Sequence, residues 1–308
     1  MIIEFLMVAV GLVILIFAGD ALVKGAVNLA LRVGLPALVV SLTVVAFGTS
    51  APELLVSIQA ILEGAPGLAL GNVVGSNTAN VLLVLGVPAL IATLHTSHCE
   101  TRRDFLYMLA ATFLFMAFCM TGLLVWWHGL ILLAVLAGIL GATFVSSRGE
   151  EVEVEGVEPG LPGWKLAAYL ILGLVGLPIG AGLLVDGATE IARTFGVSET
   201  VIGLTLVAIG TSLPELATTV MAAIRRHADV ALGNVIGSNL FNLLGIIGVA
   251  LLFGSIPVEP AFLAKDLWVM LAATLLLVPF VFMARDITRL WGVSLTGLYA
   301  VYLYVAFL

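Results

Sequence analysis

Residues 45–54 read VAFGTSAPEL and residues 207–216 read VAIGTSLPEL, identical at eight of ten positions with a constant offset of 162. A second pair keeps the same offset: ALGNVVGSN at 69–77 and ALGNVIGSN at 231–239, identical at eight of nine positions. No gap is needed between the two blocks in either half. Each half of the chain therefore holds the same two-helix hairpin, and such self-similarity constrains the architecture before any single residue does.

The surroundings of these blocks say where the hairpins reside. Of 308 residues, 62% are hydrophobic and 10% charged, against about 45–50% and about 25% in soluble domains. Too few charges remain to cover a soluble surface, which excludes a soluble enzyme, a disordered chain and a nucleic-acid binder and leaves a polytopic membrane protein. The 33 glycines suit membrane helices. The net charge of −7 is largely local, since five glutamates fall between Glu150 and Glu158. Cys99 and Cys119 imply neither a disulfide framework nor a metal cage; one reads as a loop thiol and the other as a core- or lipid-facing thiol.

A spanning helix needs roughly 20 mostly apolar residues. Ten such stretches are read, at 2–33, 36–62, 67–94, 104–123, 127–146, 164–195, 198–224, 229–254, 267–284 and 289–307. The first and sixth exceed the membrane thickness and should tilt or protrude. The N-terminal stretch has Glu4 and no basic residue, so it reads as a mature helix rather than a cleaved signal. With both termini outside, ten basic residues lie on the inside (Lys24, Arg32, Arg102, Arg103, Arg148, Lys165, Arg225, Arg226, Arg285 and Arg289) and two outside, Arg193 and Lys265. This is the positive-inside bias. The polar stretch 148–163 reads as a cytoplasmic linker between two five-helix halves, 1–147 and 164–308, with repeats at 36–94 and 198–254. Five is odd, so the second half must enter the membrane from the opposite side. The expected fold is all-α, with ten transmembrane helices in two inverted repeats that meet near the midplane, as in many secondary transporters.

In GTSAPE, Thr49 and Ser50 precede Glu53 by four and three residues, which puts all three on one helical face. Pro52 has no N–H, so the carbonyl of Gly48 loses its helical partner, and Gly48 loosens the turn. Gly210, Thr211, Ser212, Pro214 and Glu215 repeat the arrangement. Broken backbone at membrane depth is tolerated only where it is buried in protein or lines a cavity. In the second block Asn72, Ser76 and Asn80 form a polar stripe, repeated by Asn234, Ser238 and Asn242. Gly71 and Gly75 should let another backbone approach. Asn77 and Asn239 lie on a different face and suit a role in holding the hairpins together. The hydroxyls and amides could equally serve helix–helix hydrogen bonding. Glu53 and Glu215 are decisive: each sits mid-span, where a charge costs at least about 2.5–3.5 kcal/mol, and every basic residue maps near a membrane face. Bound cations are the remaining counter-charge. An all-oxygen set suits a hard cation such as calcium. Zinc or copper would want histidine or cysteine, and His95, His98 and Cys99 read as a solvated loop. Asp20 with Lys24, and Asp186 with Glu190, read as interfacial anchors.

The paired blocks GTSAPE with GNVVGSNTAN, and GTSLPE with GNVIGSNLFN, resemble the two alpha repeats of the calcium/cation antiporter superfamily, nearest its prokaryotic sodium/calcium exchangers. The resemblance implies a cluster of ion sites between helices two, three, seven and eight. Glu53 and Glu215 would bridge them. Thr49, Ser50, Thr211, Ser212, Ser76 and Ser238 would supply oxygens, with the carbonyls of Ala46 and Ala208, while Asn80 and Asn242 would line the middle. Some family members carry an aspartate at one of the last two positions; with asparagine at both, this chain's site has two carboxylates rather than three. Helices one and six would slide as the gate. The implied activity is exchange of Ca2+ for Na+ across the plasma (inner) membrane, both ions bound as substrates, with no cofactor, the chain working as a monomer in the lipid bilayer. Rival readings are a proton-coupled or other cation exchanger, and a cation channel, against which the inverted repeat argues. An intramembrane hydrolase would need a nucleophile with a histidine or paired aspartates in the core.

Overall fold

The computed structural model describes residues 2–147, 161–196 and 208–306. Most of the expected linker (148–160) and the start of the seventh expected span (198–207) lie outside the described residues. The chain is helical throughout: α1 (Ile2–Val33), α2 (Ala37–Thr49), α3 (Ala51–Leu62), α4 (Pro66–Ile91), α5 (Arg102–Cys119), α6 (Trp126–Ser146), α7 (Gly163–Thr194), α8 (Ala208–Thr211), α9 (Leu213–Ile224), α10 (Ala228–Ala250), α11 (Pro260–Phe282) and α12 (Arg289–Ala306). Among the described residues a pair of two-residue strands, β1 (Leu123–Leu124) and β2 (Ile256–Pro257), is joined antiparallel. Among the described residues six helices are long and apolar enough to cross a membrane, and α2 with α3, bent by 43°, would make a seventh. The molecule is a multi-pass membrane protein.

Burial sorts the helices. The most apolar stretch of α10 is wholly buried and that of α4 is 72% buried, whereas those of α1, α6 and α7 are only 22% buried. Apolar side chains such as Phe17, Ile171 and Ile179 face outward, as a lipid solvent permits. Lipid gives little hydrophobic force between helices, so close packing through small residues must hold them. The seam between α1 and α7 is built this way. A Cβ at Gly11 would sit 2.7 Å from the carbonyl oxygen of Gly180, and one at Gly180 would sit 3.0 Å from that of Gly11. Gly173 meets Leu22 and Gly187 meets the Glu4 carbonyl, so the two helices run antiparallel.

Details recur at the 162-residue offset. Gly64 and Arg226 follow α3 and α9 with φ of +77° and +61°. Each helix closes with the same pair of reversed hydrogen bonds: Ala65 N–H to Ala60 O (2.8 Å) and Gly64 N–H to Ile61 O (3.1 Å), then His227 N–H to Ala222 O (2.9 Å) and Arg226 N–H to Ala223 O (3.1 Å). This is the Schellman closure, which needs a left-handed residue. β1, between α5 and α6, pairs with β2, between α10 and α11. Leu94, between α4 and α5, pairs with Ile287, between α11 and α12. Exchanging the halves turns one of these contacts into the other.

Candidate cation site

The two proline motifs break their helices in the same way. Ser50 (φ −84°, ψ 6°) interrupts α2 and α3, Ser212 (φ −87°, ψ 3°) interrupts α8 and α9, and Pro52 and Pro214 open the new helices. A proline in the first turn costs little because that N–H has no intrahelical partner. Glu53 and Glu215 thus fall in the first turn of α3 and α9, where the helix dipole favours a negative charge. Each is 1% exposed.

The second motif holds the first in place. Asn72 donates its amide to the Glu53 carbonyl at 3.3 Å and to Ser57 Oγ at 3.2 Å. Asn234 does the same to the Glu215 carbonyl (3.3 Å) and Thr219 Oγ (3.1 Å). These two asparagines of the polar stripe clamp the backbone beneath each carboxylate. Asn77 and Asn239 donate to each other's carbonyls at 3.4 Å, which joins the halves as their separate face suggested. Asn80 gives its amide to Asn239 Oδ1 at 3.0 Å. Across the halves, Ser50 Oγ donates to Glu215 Oε1 at 3.1 Å. Thr49 Oγ donates to the Ala46 carbonyl at 3.3 Å and reaches Asn234 Oδ1 at 3.4 Å. The Ala46 carbonyl also accepts the Ser50 N–H at 3.0 Å, so it is already engaged. Ala208 and Thr211 lie on α8, and Ser76 is buried on α4.

Several polar atoms of these residues have no hydrogen bond to the protein. Oε2 of Glu53, Oε2 of Glu215, Oγ of Ser212, Oδ1 of Asn80 and both amide atoms of Asn242 are buried without a hydrogen bond. Leaving one buried polar group unpaired costs about 1–3 kcal/mol, more for a charge. Among the described residues neither carboxylate forms an ion pair with a basic side chain. These atoms come from both halves and are mostly oxygens: two carboxylates, the Ser212 hydroxyl and the amides of Asn80 and Asn242. Among the described residues no group of three or more His, Cys, Asp and Glu could hold a metal, so any ion here relies on neutral oxygens beyond the two acids.

Sequence reading missed Ser57 and Thr219, both fully buried. They could have been found, since each lies one turn beyond its glutamate at the same offset. The π-helical turns Asn80–Val84 and Phe241–Ile246 have no such signal; each carries one of the asparagines Asn80 and Asn242. Gly237 meets a backbone as expected of its type, its Cβ position 2.4 Å from the Leu42 carbonyl oxygen. Gly71 and Gly75 meet no described residue within 4 Å; the offset mates of Leu38 and Leu42, Thr200 and Leu204, fall outside the described residues.

Other groups singled out earlier lie elsewhere. A cavity of about 1520 Å³ is lined by Pro36, His95, Arg102, Arg225 and Asp229 among others, and by none of the candidate ligands. His95 Nδ1 lies 2.9 Å from Asp286 Oδ2. Burial, with Asp229 and Asp286 adding negative potential, pushes the Cys99 thiol up to about 12. Glu190 pairs with Arg193 at 2.5 Å. Asp20 pairs with Lys24, as read from the sequence, and also with Arg225, which sequence did not suggest.

Comparison with known proteins agrees with this geometry. The family described as sodium/calcium exchanger protein matches residues 3–145 and 165–308. The putative antiporter CaxA of Alkalimonas amylolytica is 37% identical over 90% of this chain and 89% of its own. The sodium/calcium exchanger MaX1 of Methanosarcina acetivorans is 35% identical over 99% of both. A solved structure of the sodium–calcium exchanger NCX_Mj, soaked with zero Na+ and Ca2+, superimposes with a TM-score of 0.86 at 33% identity, over 99% of each chain. The repeated motifs, the paired buried carboxylates and these likenesses lead to one conclusion: this chain belongs to the sodium/calcium exchanger family, an antiporter of the calcium/cation antiporter superfamily.

Proposed function

We propose that the chain is a secondary active antiporter that exchanges Ca2+ for Na+ by alternating access. One observation carries the reading: two buried carboxylates, one from each half, each keep an unpaired oxygen, and oxygens of Ser212, Asn80 and Asn242 are buried and unpaired as well. Calcium takes 6–8 oxygens at about 2.3–2.6 Å with flexible geometry. Glu53 and Glu215 supply the charge. Thr49, Ser50, Thr211, Ser212, Ser76, Ser238, Asn80 and Asn242 supply neutral ligands, with the Ala46 and Ala208 carbonyls. For Ala46 to bind, Thr49 must give up its bond to that carbonyl and turn toward the ion.

Exchange rather than leak follows from the charge. With both carboxylates ionised, the empty site would carry −2 in a poorly solvated interior, and moving it unloaded past the barrier would be costly. One Ca2+ or several Na+ ions remove that cost, and since both need the same oxygens they compete. The α1–α7 pair, packed backbone to backbone, is suited to move as one unit across the rest. Ten spans in two inverted five-helix halves, termini outside, in the plasma (inner) membrane, complete the reading; the recurring contacts at one offset and the basic bias support it, and the chain works as a monomer. The test is Ca2+ uptake by proteoliposomes loaded with Na+ and diluted into Na+-free buffer. Uptake that requires the Na+ gradient is expected; uptake driven equally by an imposed proton gradient alone would favour the proton-coupled alternative.

A further inference from the structure

The repeat also shows where the two halves disagree. Asp20, on α1, bonds through Oδ1 to the Arg225 guanidinium at the end of α9, while its Oδ2 takes Lys24 Nζ at 2.9 Å. Both carboxylate oxygens are thus held by separate cations. The pair is partly enclosed, with the side chains 20% and 33% exposed. One residue away, Gly19 packs on α9: its Cβ position is 3.0 Å from the Ala217 carbonyl oxygen and 3.2 Å from the Met221 side chain. The 162-residue offset holds through α1 and α7, since LVKGA at 22–26 becomes LVDGA at 184–188. The mates of Asp20, Lys24 and Arg225 are therefore Gly182, Asp186 and Glu63. At the first end the charges attract. At the corresponding positions the acid is replaced by glycine and both bases by acids, so no such attraction can form there.

We propose that Asp20 and Arg225 form a one-sided latch, on the cytoplasmic face, that holds the moving helix α1 against α9 while the equivalent junction outside is left unlatched. This rests on the alternating-access reading. An ion pair on one face of an otherwise two-fold device biases its equilibrium toward the conformer containing that pair. The expected size is that of a partly exposed pair, about two- to fivefold in population.

The test uses Met221→Cys, which lies under Gly19, in full-length protein with Cys99→Ser and Cys119→Ala. A membrane-impermeant maleimide is applied from the cytoplasmic side of inside-out vesicles, in Na+ and then in Ca2+. Asp20→Asn and Arg225→Gln should each raise the labelling rate about two- to fivefold. The double variant should be no faster than either single, because both remove one interaction. Arg225→Lys should recover part of the parent rate. Labelling that differs between Na+ and Ca2+ in the parent, but is unmoved by either neutralisation or rises additively in the double variant, would overturn the latch and leave alternating access standing. Labelling indifferent to which ion is present would remove the reading beneath it. Retention of each variant as a monodisperse peak in detergent separates release of α1 from unfolding.

Discussion

Asn77 and Asn242 lie in corresponding motifs and are both buried, yet their amides do opposite work. Asn77 trades hydrogen bonds with Asn239 across the halves, while neither amide atom of Asn242 has a partner. Asn77→Ala should therefore destabilise the protein by about 1–3 kcal/mol, seen as a lower Tm in detergent. Asn242→Ala should leave Tm nearly unchanged and weaken Ca2+ binding instead. Equal loss of Tm in both variants would show that Asn242 is a structural group rather than an ion ligand. At this scale one offset in the sequence picks out the candidate residues, but not which atom each touches. Asn72 and Asn80 sit eight residues apart on one helix, and only tertiary packing sends the first to a backbone carbonyl and the second toward Asn239.

The helix breaks were legible because proline cannot donate at Pro52 and Pro214, and both helices restart there. The π-helical turns at Asn80–Val84 and Phe241–Ile246 were not, since no residue type marks a π turn. Nor was the closure of α9: glycine at Gly64 announces a left-handed residue, whereas Arg226 adopts the same conformation against its preference. Such a residue pays roughly 1–2 kcal/mol relative to a permissive one. Arg226→Gly should raise stability by up to about 1 kcal/mol once the entropy of glycine is set against it, readable as a higher Tm with exchange unaltered. A lower Tm would mean that the Arg226 side chain contributes more than its backbone costs. Conversely, Gly237→Ala would force a Cβ against the Leu42 carbonyl and cost about 1–3 kcal/mol by overpacking.

Over the whole molecule, hydropathy marked the long apolar helices, six or seven of which are long enough to cross a membrane among the described residues, because lipid demands such stretches; ten spans in two inverted halves remain part of the proposal. The Asp20–Arg225 contact was not legible in the sequence, because it joins residues 205 apart and breaks the repeat rather than obeying it. The inverted arrangement makes a plain prediction for the mates Ala65 and His227: cysteines there should react with an impermeant reagent from outside and inside respectively, and reaction of both from one side would contradict it. On the proposed function, Glu53 and Glu215 together make one cation site that Ca2+ and Na+ share. Calorimetric titration of the purified protein with Ca2+ tests it most directly. One saturable Ca2+ site is expected in Na+-free buffer, progressively lost as Na+ is added and absent in Glu53→Gln and Glu215→Gln despite an unchanged elution profile; Ca2+ binding that survives in either variant, or that ignores Na+, would contradict the account.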